Sequence, residues 1–204
     1  MLEHIWLVHP DEDMCAAFRV RFAGLRGARV VRARFEELDP HDAFVTAGNA
    51  FGMMTAGIDA AVVRAFGDQI MRRVQHRIMS DYYGEQPVGT AFVITTEHAA
   101  IPYLVHAPTM RVPGSIDGTD KVYSSTWAAI LAIQAHNARA ERKIETAAFP
   151  AMGTGFGGVP FDEAARQMAT AWRHYLDPPH RIDWEFVIER HKAISYDGPR
   201  QVVK

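Results

Sequence analysis

Short apolar runs alternate along this chain with stretches whose apolar residues recur every three or four positions, the pattern of strands interleaved with amphipathic helices. Residues 5–8, 29–33, 43–46, 90–95, 103–106, 146–149 and 185–188 read as strands. Between them, Pro10-Asp11-Glu12-Asp13 opens a helix with acid in its first turn, which suits the helix dipole, and that helix is expected to end near Gly24. Ile58, Ala61, Val62, Ala65 and Phe66 repeat at helical spacing until Gly67 interrupts them, and a further helix is expected over 68–82. Val122, Thr126, Ala129, Ile130 and Ile133 share one helical face, as do Phe161, Ala164, Ala165, Met168, Trp172 and Tyr175. Such alternation predicts an α/β fold with helices on both faces of a largely parallel sheet. A ligand then belongs beyond the carboxyl ends of the strands, where loops lead into helices.

Two of those loops carry recognisable chemistry. Pro150-Ala-Met-Gly-Thr-Gly-Phe-Gly-Gly-Val-Pro160 leaves an apolar strand and enters a helix, with Pro160 expected as its first residue. Its glycines at 153, 155, 157 and 158 let several backbone N–H groups converge, and the helix N-terminus adds partial positive charge. That combination suits a phosphate or diphosphate. The stretch also spells G-x-G-x-x-G, but a dinucleotide-binding fingerprint follows an early strand, and this one lies in the last third of the chain. Neither a nucleophile elbow, which needs a central Ser, nor a Walker loop, which needs Gly-Lys-Ser/Thr, is present.

The second loop runs from Thr46 to Val62. Asn49 offers an amide that both donates and accepts, suited to sugar hydroxyls, while Gly52 and Gly57 permit close backbone approach. Asp59 stands in the first helical turn, where its simplest role is to complement the helix dipole.

Composition narrows the setting. The chain has 204 residues, 48% of them hydrophobic, enough for one well-buried core, and no linker or repeat divides it, so a single domain over 1–204 is expected. With 22 Lys and Arg against 24 Asp and Glu, it has no bulk basic field for nucleic acid; Arg72, Arg73 and Arg77 read as a solvated helix face. One cysteine, Cys15, rules out an internal disulfide, and the ten histidines show no metal-ligand spacing, so no metal and no cofactor are expected. The N-terminus lacks the features of a signal peptide, and no apolar run is long enough for a bilayer span, which points to the cytoplasm and to no membrane partner.

Read together, Val45-Thr-Ala-Gly-Asn49, Thr55-Ala-Gly-Ile-Asp-Ala-Ala-Val62 and the 150–160 loop resemble, in order and spacing, the motifs of the macro domain family; the likeness extends from about Glu36 to the C-terminal strand. The resemblance implies a three-layer α/β/α sandwich with a mixed, largely parallel central sheet. It also implies a site for ADP-ribose or a derivative. Met152, Gly153, Thr154, Gly155, Phe156 and Gly157 would then wrap the diphosphate and distal ribose, with Gly52, Gly57 and Ile58 contributing from the other loop. Asn49 would bond the distal ribose, and Asp59 would orient or activate water, the two forming the catalytic pair of a hydrolytic member. Glu36 and Phe35 are the candidates at the adenine, and Arg190-His-Lys192 the candidates to border it.

This chain departs from the family pattern at Thr46, where an Asn is usual, and at Thr55-Ala56-Gly57, where a glycine triplet is usual. Two functions therefore stay open: hydrolytic removal of ADP-ribose from a modified protein or nucleic acid (or processing of an ADP-ribose derivative), and a reader module that binds without turnover. A nicotinamide-dependent dehydrogenase is a third class, disfavoured by where the glycine motif falls. Arg111, in a proline-bounded loop, could reach a phosphate, and His106 reads as a core histidine at a strand end.

Overall fold

The computed structural model describes residues 1–196. Six strands, β1 (His4–Val8), β2 (Ala28–Val31), β3 (Ala43–Thr46), β4 (Phe92–Thr95), β5 (Tyr103–His106) and β6 (Thr146–Pro150), form one sheet in the order β2-β1-β6-β3-β5-β4. Every pairing is parallel except that of β4 with β5. The fold is therefore a mixed, largely parallel sheet between two helical layers, a three-layer α/β/α sandwich.

Side-chain alternation along the strands assigns the layers. Ile5, Leu7, Val45, Val105 and Phe149 point into one core, shared with α1 (Glu12–Arg21), α4 (Lys121–Arg139) and α5 (Phe161–Leu176). Phe44, Leu104, Phe92 and Ala148 point to the other face, under α2 (Gly57–Phe66) and α3 (Gln69–Tyr82). β3 is buried along its whole length and β6 from its second residue on, as expected of strands covered on both faces.

Local chemistry sets the ends. Asp11 caps α1, its side chain accepting the Asp13 N–H at 2.8 Å, and α1 stops at Arg21, a turn short of Gly24. Gly67 ends α2 with φ of 84°. Pro160 stands one place before α5, at the cap. At the other end of the chain the structure overturns an expected strand. Residues 185–188 lie inside a sixth helix, α6 (Trp184–Ile194), whose start is fixed by Asp183 accepting the Phe186 N–H at 2.9 Å. A short apolar run such as Phe186-Val187-Ile188 has no period of its own, and the cap decides its conformation. Arg190 then lies over the Trp127 ring of α4, at 5.0 Å, and donates to Tyr123 Oη.

Phe44 is the bridge between this architecture and the cleft described below. Its ring is fully buried and meets Phe35 edge-on at 4.6 Å. Replacing it by alanine should lower stability by about 3–5 kcal/mol, the usual cost of a large cavity in a core. Urea denaturation checks this; a loss under about 1 kcal/mol would show that the wall behind Phe35 is not packed as described.

Candidate functional site

β3 and β6 are neighbours in the sheet, so the loops leaving their carboxyl ends face each other. Between them opens a cleft of about 440 Å³, completed by the end of β1, the turn at Phe35–Glu37 and the segment after β5. Among the described residues no helix is long and apolar enough to cross a membrane, and no cluster of His, Cys, Asp and Glu could hold a metal ion.

The glycine loop is shaped by its own packing. Gly153 has φ of 75°, and a Cβ there would lie 2.6 Å from Val122 of α4; a Cβ on Gly157 would collide with the Gly153 carbonyl. Gly155 differs: a Cβ on it would meet nothing within 4 Å. The loop is tied down by Val159 N–H to the Gly153 carbonyl at 3.2 Å, Gly158 N–H to Gly155 at 3.1 Å and Ile116 N–H to Gly157 at 2.8 Å. The N–H groups of Gly153, Gly155, Phe156 and Gly157 have no hydrogen-bond acceptor among the described residues. Free donors in front of α5 suit an anion with several oxygens. Phe156 stands 62% exposed at its edge.

The facing loop is organised by Asn49. Its Oδ1 accepts the N–H groups of Phe51 and Met53 at 3.1 and 3.2 Å, and its Nδ2 donates to the Met53 carbonyl at 2.9 Å. The amide expected to reach a sugar lines the cleft, but its acceptor oxygen already serves the loop. Ala50 N–H bonds the Met110 carbonyl at 3.0 Å, which fastens the loop to the segment after β5. Met54 is buried, whereas Met53 is 50% exposed and lines the cleft with Thr55, Ala56, Gly57 and Ile58.

Asp59 projects from the first turn of α2. It is only 6% exposed, and its Oδ1 is buried without a partner. The helix N-terminus favours the anion by about 0.3–1 kcal/mol, but burial works against it and wins. The carboxyl is pushed up to about 7, with desolvation as the cause. A carboxyl that exchanges its proton near neutrality suits acid–base chemistry.

Phe35 walls the cleft at its far end, buried against Phe44 and Phe66. Glu36 lies beside it on the surface, 3.3 Å from Arg64; a backbone N–H and that arginine hold its carboxyl below the usual range. Of the residues expected at the site, Phe35, Glu36, Asn49, Gly57, Ile58, Asp59, Gly153, Thr154, Gly155, Phe156 and Gly157 line this one cleft. Gly52 and Met152 do not. Gly52 lets its loop press on α3, where a Cβ would meet Val74 at 2.7 Å, and Met152 is fully buried in the core of the α5 layer. Arg111 points to Glu85, at 2.6 Å, and Arg190 packs on α4, so neither is among the residues lining the cleft. The sequence reading missed His9, Arg34, Gly48, Arg64 and Thr109. Gly48 lies inside the Val45–Asn49 motif, whereas His9, Arg34, Arg64 and Thr109 stand outside the motif residues and are brought in by the order of the strands.

Comparison with known proteins agrees with this geometry. The macro domain family model matches residues 45–168, more than half of the chain. An uncharacterized protein of Aquifex aeolicus is 31% identical over 147 residues, covering 72% of this chain and 81% of that protein. A mutant macrodomain of Oceanobacillus iheyensis, solved with ADPR, superposes with a TM-score of 0.55 at 19% identity, covering 64% of this chain and 68% of that one. The macrodomain of Mycobacterium tuberculosis DarG gives a TM-score of 0.55 at 21% identity, covering 68% of this chain and 85% of that one. Family match, relative and fold converge: this chain belongs to the macro domain family.

Proposed function

We propose that the cleft binds ADP-ribose or a close derivative, and that the protein hydrolyses it from a modified protein or nucleic acid. The observation that carries this reading is a single juxtaposition. A row of free backbone donors suited to a diphosphate and a buried, partnerless carboxyl face one another across the same cleft. The Oceanobacillus macrodomain solved with ADPR supports the choice of ligand through the shared fold. In the proposed reaction, ionised Asp59 takes a proton from a water that adds to the anomeric carbon. The bond to the target breaks with its electrons on the leaving oxygen, the proton held by Asp59 passes to that oxygen or to solvent, and free ADP-ribose, the unmodified target and the Asp59 carboxylate result. No metal or cofactor enters this scheme.

One observation favours a reader module instead. The Asn49 oxygen is already bonded within its loop, and the exposed side chain of Thr55 stands where the family pattern has glycine. A reader would bind ADP-ribose with the same glycine loop and release it unchanged.

Calorimetry with ADP-ribose, using AMP and NAD as controls, tests the shared part of both readings. Selective micromolar binding is expected, and Gly155→Glu should reduce it at least 100-fold by placing a carboxylate among the anion donors. That variant should fold normally, because its Cβ meets no neighbour. Full affinity in the folded variant would remove the diphosphate from this loop.

Asp59→Ala separates hydrolase from reader. Turnover of ADP-ribosylated substrate should fall at least 100-fold while ADP-ribose affinity changes only a few-fold. Because the ionised form does the work, wild-type turnover should rise with pH with a midpoint near 7, the value to which burial pushes the group. An inactive wild type that still binds ADP-ribose would establish the reader.

The same carboxyl leaves a stability signature. Its folded value, about 7, lies above its ordinary 3.8, so the neutral folded form is favoured at low pH. That contribution is fully present below about pH 4 and is lost as pH rises through 7. Asp59→Asn should therefore match wild type near pH 4 and exceed it by about 1–3 kcal/mol at pH 8, measured by urea denaturation. Equal stability at both pH values would mean that the carboxyl is not held in a desolvated place.

A further inference from the structure

Gly48 lies between two buried polar side chains that come from different elements. A Cβ on this residue would stand 2.7 Å from His106 Nε2 and 3.1 Å from Asp59 Oδ2. The imidazole nitrogen and the carboxyl oxygen are therefore within about 6 Å of each other, too far apart for a direct hydrogen bond but within the reach of one bridging water. His106 Nε2 and Asp59 Oδ1 are both buried without a hydrogen-bond partner among the described residues. So are Thr46 Oγ1 and Thr109 Oγ1. Thr46 is the register partner of His106 across β3 and β5, and the Thr109 N–H bonds the Gly48 carbonyl at 3.1 Å. Buried polar atoms rarely go unpaired, and orphans gathered around one glycine point to an interaction among them.

The tautomer of His106 follows from its neighbour. Gln86 donates its amide N–H groups to the carbonyls of Thr90 and His106, at 3.2 and 3.4 Å. Its Oε1 is thus the atom 2.7 Å from His106 Nδ1, and as an acceptor it requires the ring proton to sit on Nδ1. Full burial pushes the imidazole down to about 3, so near neutrality the ring is uncharged and Nε2 is a bare lone pair. Phe92 packs against the ring at 5.5 Å and keeps it in place.

We propose that His106 is a positioning residue for Asp59: its Nε2 holds the acid proton of that carboxyl across Gly48 through one bridging water. Gln86, His106 and Asp59 then form a chain from the buried ends of β4 and β5 to the cleft. Its role in turnover rests on the hydrolytic reading above, whereas the contact itself belongs to the ligand-free protein. The other ionisable groups lining the cleft are His9, Arg34 and Glu36 from other elements and Arg64 on α2 itself. The two loops, 47–56 and 151–157, carry none. On α3, Arg72, Arg73, His76 and Arg77 line a separate groove against β4. Burial raises the Asp59 carboxyl, and none of these charges contributes.

NMR of the ligand-free protein tests the chain. The ¹⁵N spectrum should show His106 protonated on Nδ1 only and unchanged down to about pH 4, as its burial requires. Following the Asp59 carboxyl carbon with pH, His106→Phe keeps the ring but removes the acceptor, and should lower the titration midpoint by about one pH unit. His106→Gln restores an acceptor and should return the midpoint towards wild type. A ring protonated on Nε2, or an unchanged midpoint in folded His106→Phe, overturns the proposal. If His106→Phe does not fold, Gln86→Leu decides: loss of the single tautomer supports the chain, and its persistence overturns it. None of these readouts involves ADP-ribose, so a failure here is separate from a failure of the calorimetry.

Discussion

β6 is hydrogen-bonded on both sides, to β1 along its whole length and to β3 at Ala147 and Ala148. Among the described residues it is the last strand in sequence yet lies third in the sheet, and the cleft exists because of that insertion. Parallel pairing of β3, β6 and β1 sends the loops that leave their carboxyl ends out at the same edge, so the 151–160 loop emerges beside the 47–56 loop although about a hundred residues separate them in sequence. The β-branched and aromatic residues that bury this part of the sheet, Val45, Phe44 and Phe149, thereby set the distance between anion donors and carboxyl.

Much of this was legible in the chain because each element had its own period and its own punctuation. The face Phe161-Ala164-Ala165-Met168-Trp172 and the stop at Gly67 needed no tertiary information. Residues 185–188 failed for the opposite reason: three consecutive apolar residues carry no period, and the deciding bond from Asp183 is invisible until the backbone turns. The site divides in the same way. Motif residues Asp59 and Gly153 to Gly157 were legible through their glycines and helix-start position. Gly52 and Met152 belong to the same motifs, yet the packing of α3 and of the main core claims them. Gly48 and His106 were illegible as a pair, because only the register of β3 on β5 brings their segments together.

A cleft floor with several unpaired polar atoms is costly, at about 1–3 kcal/mol for each buried group left unsatisfied. Burial favours the neutral form of Asp59 up to about pH 7, and that shift is also what makes it chemically useful near neutrality. Burial acts on His106 in the reverse sense: its contribution to stability is lost as pH falls from the ordinary 6.5 towards 3. Across the interval where both effects operate, rising pH weakens the fold through Asp59 and strengthens it through His106. Two groups within reach of each other with opposed shifts leave global stability less sensitive to pH than either alone would.

The glycines show how one loop can satisfy packing and binding without conflict. Gly153 and Gly157 are excluded from carrying a side chain by Val122, Ile116 and the loop's own carbonyl, so a substitution there disturbs the backbone before it touches any ligand. Gly155 has no such neighbour, and a glycine there has no local reason in the packing. What it provides is an uncovered backbone next to the free Phe156 N–H, in the same cleft that Asp59 lines. A residue kept small where nothing in the fold demands it is the strongest local argument that this loop is shaped around an anion.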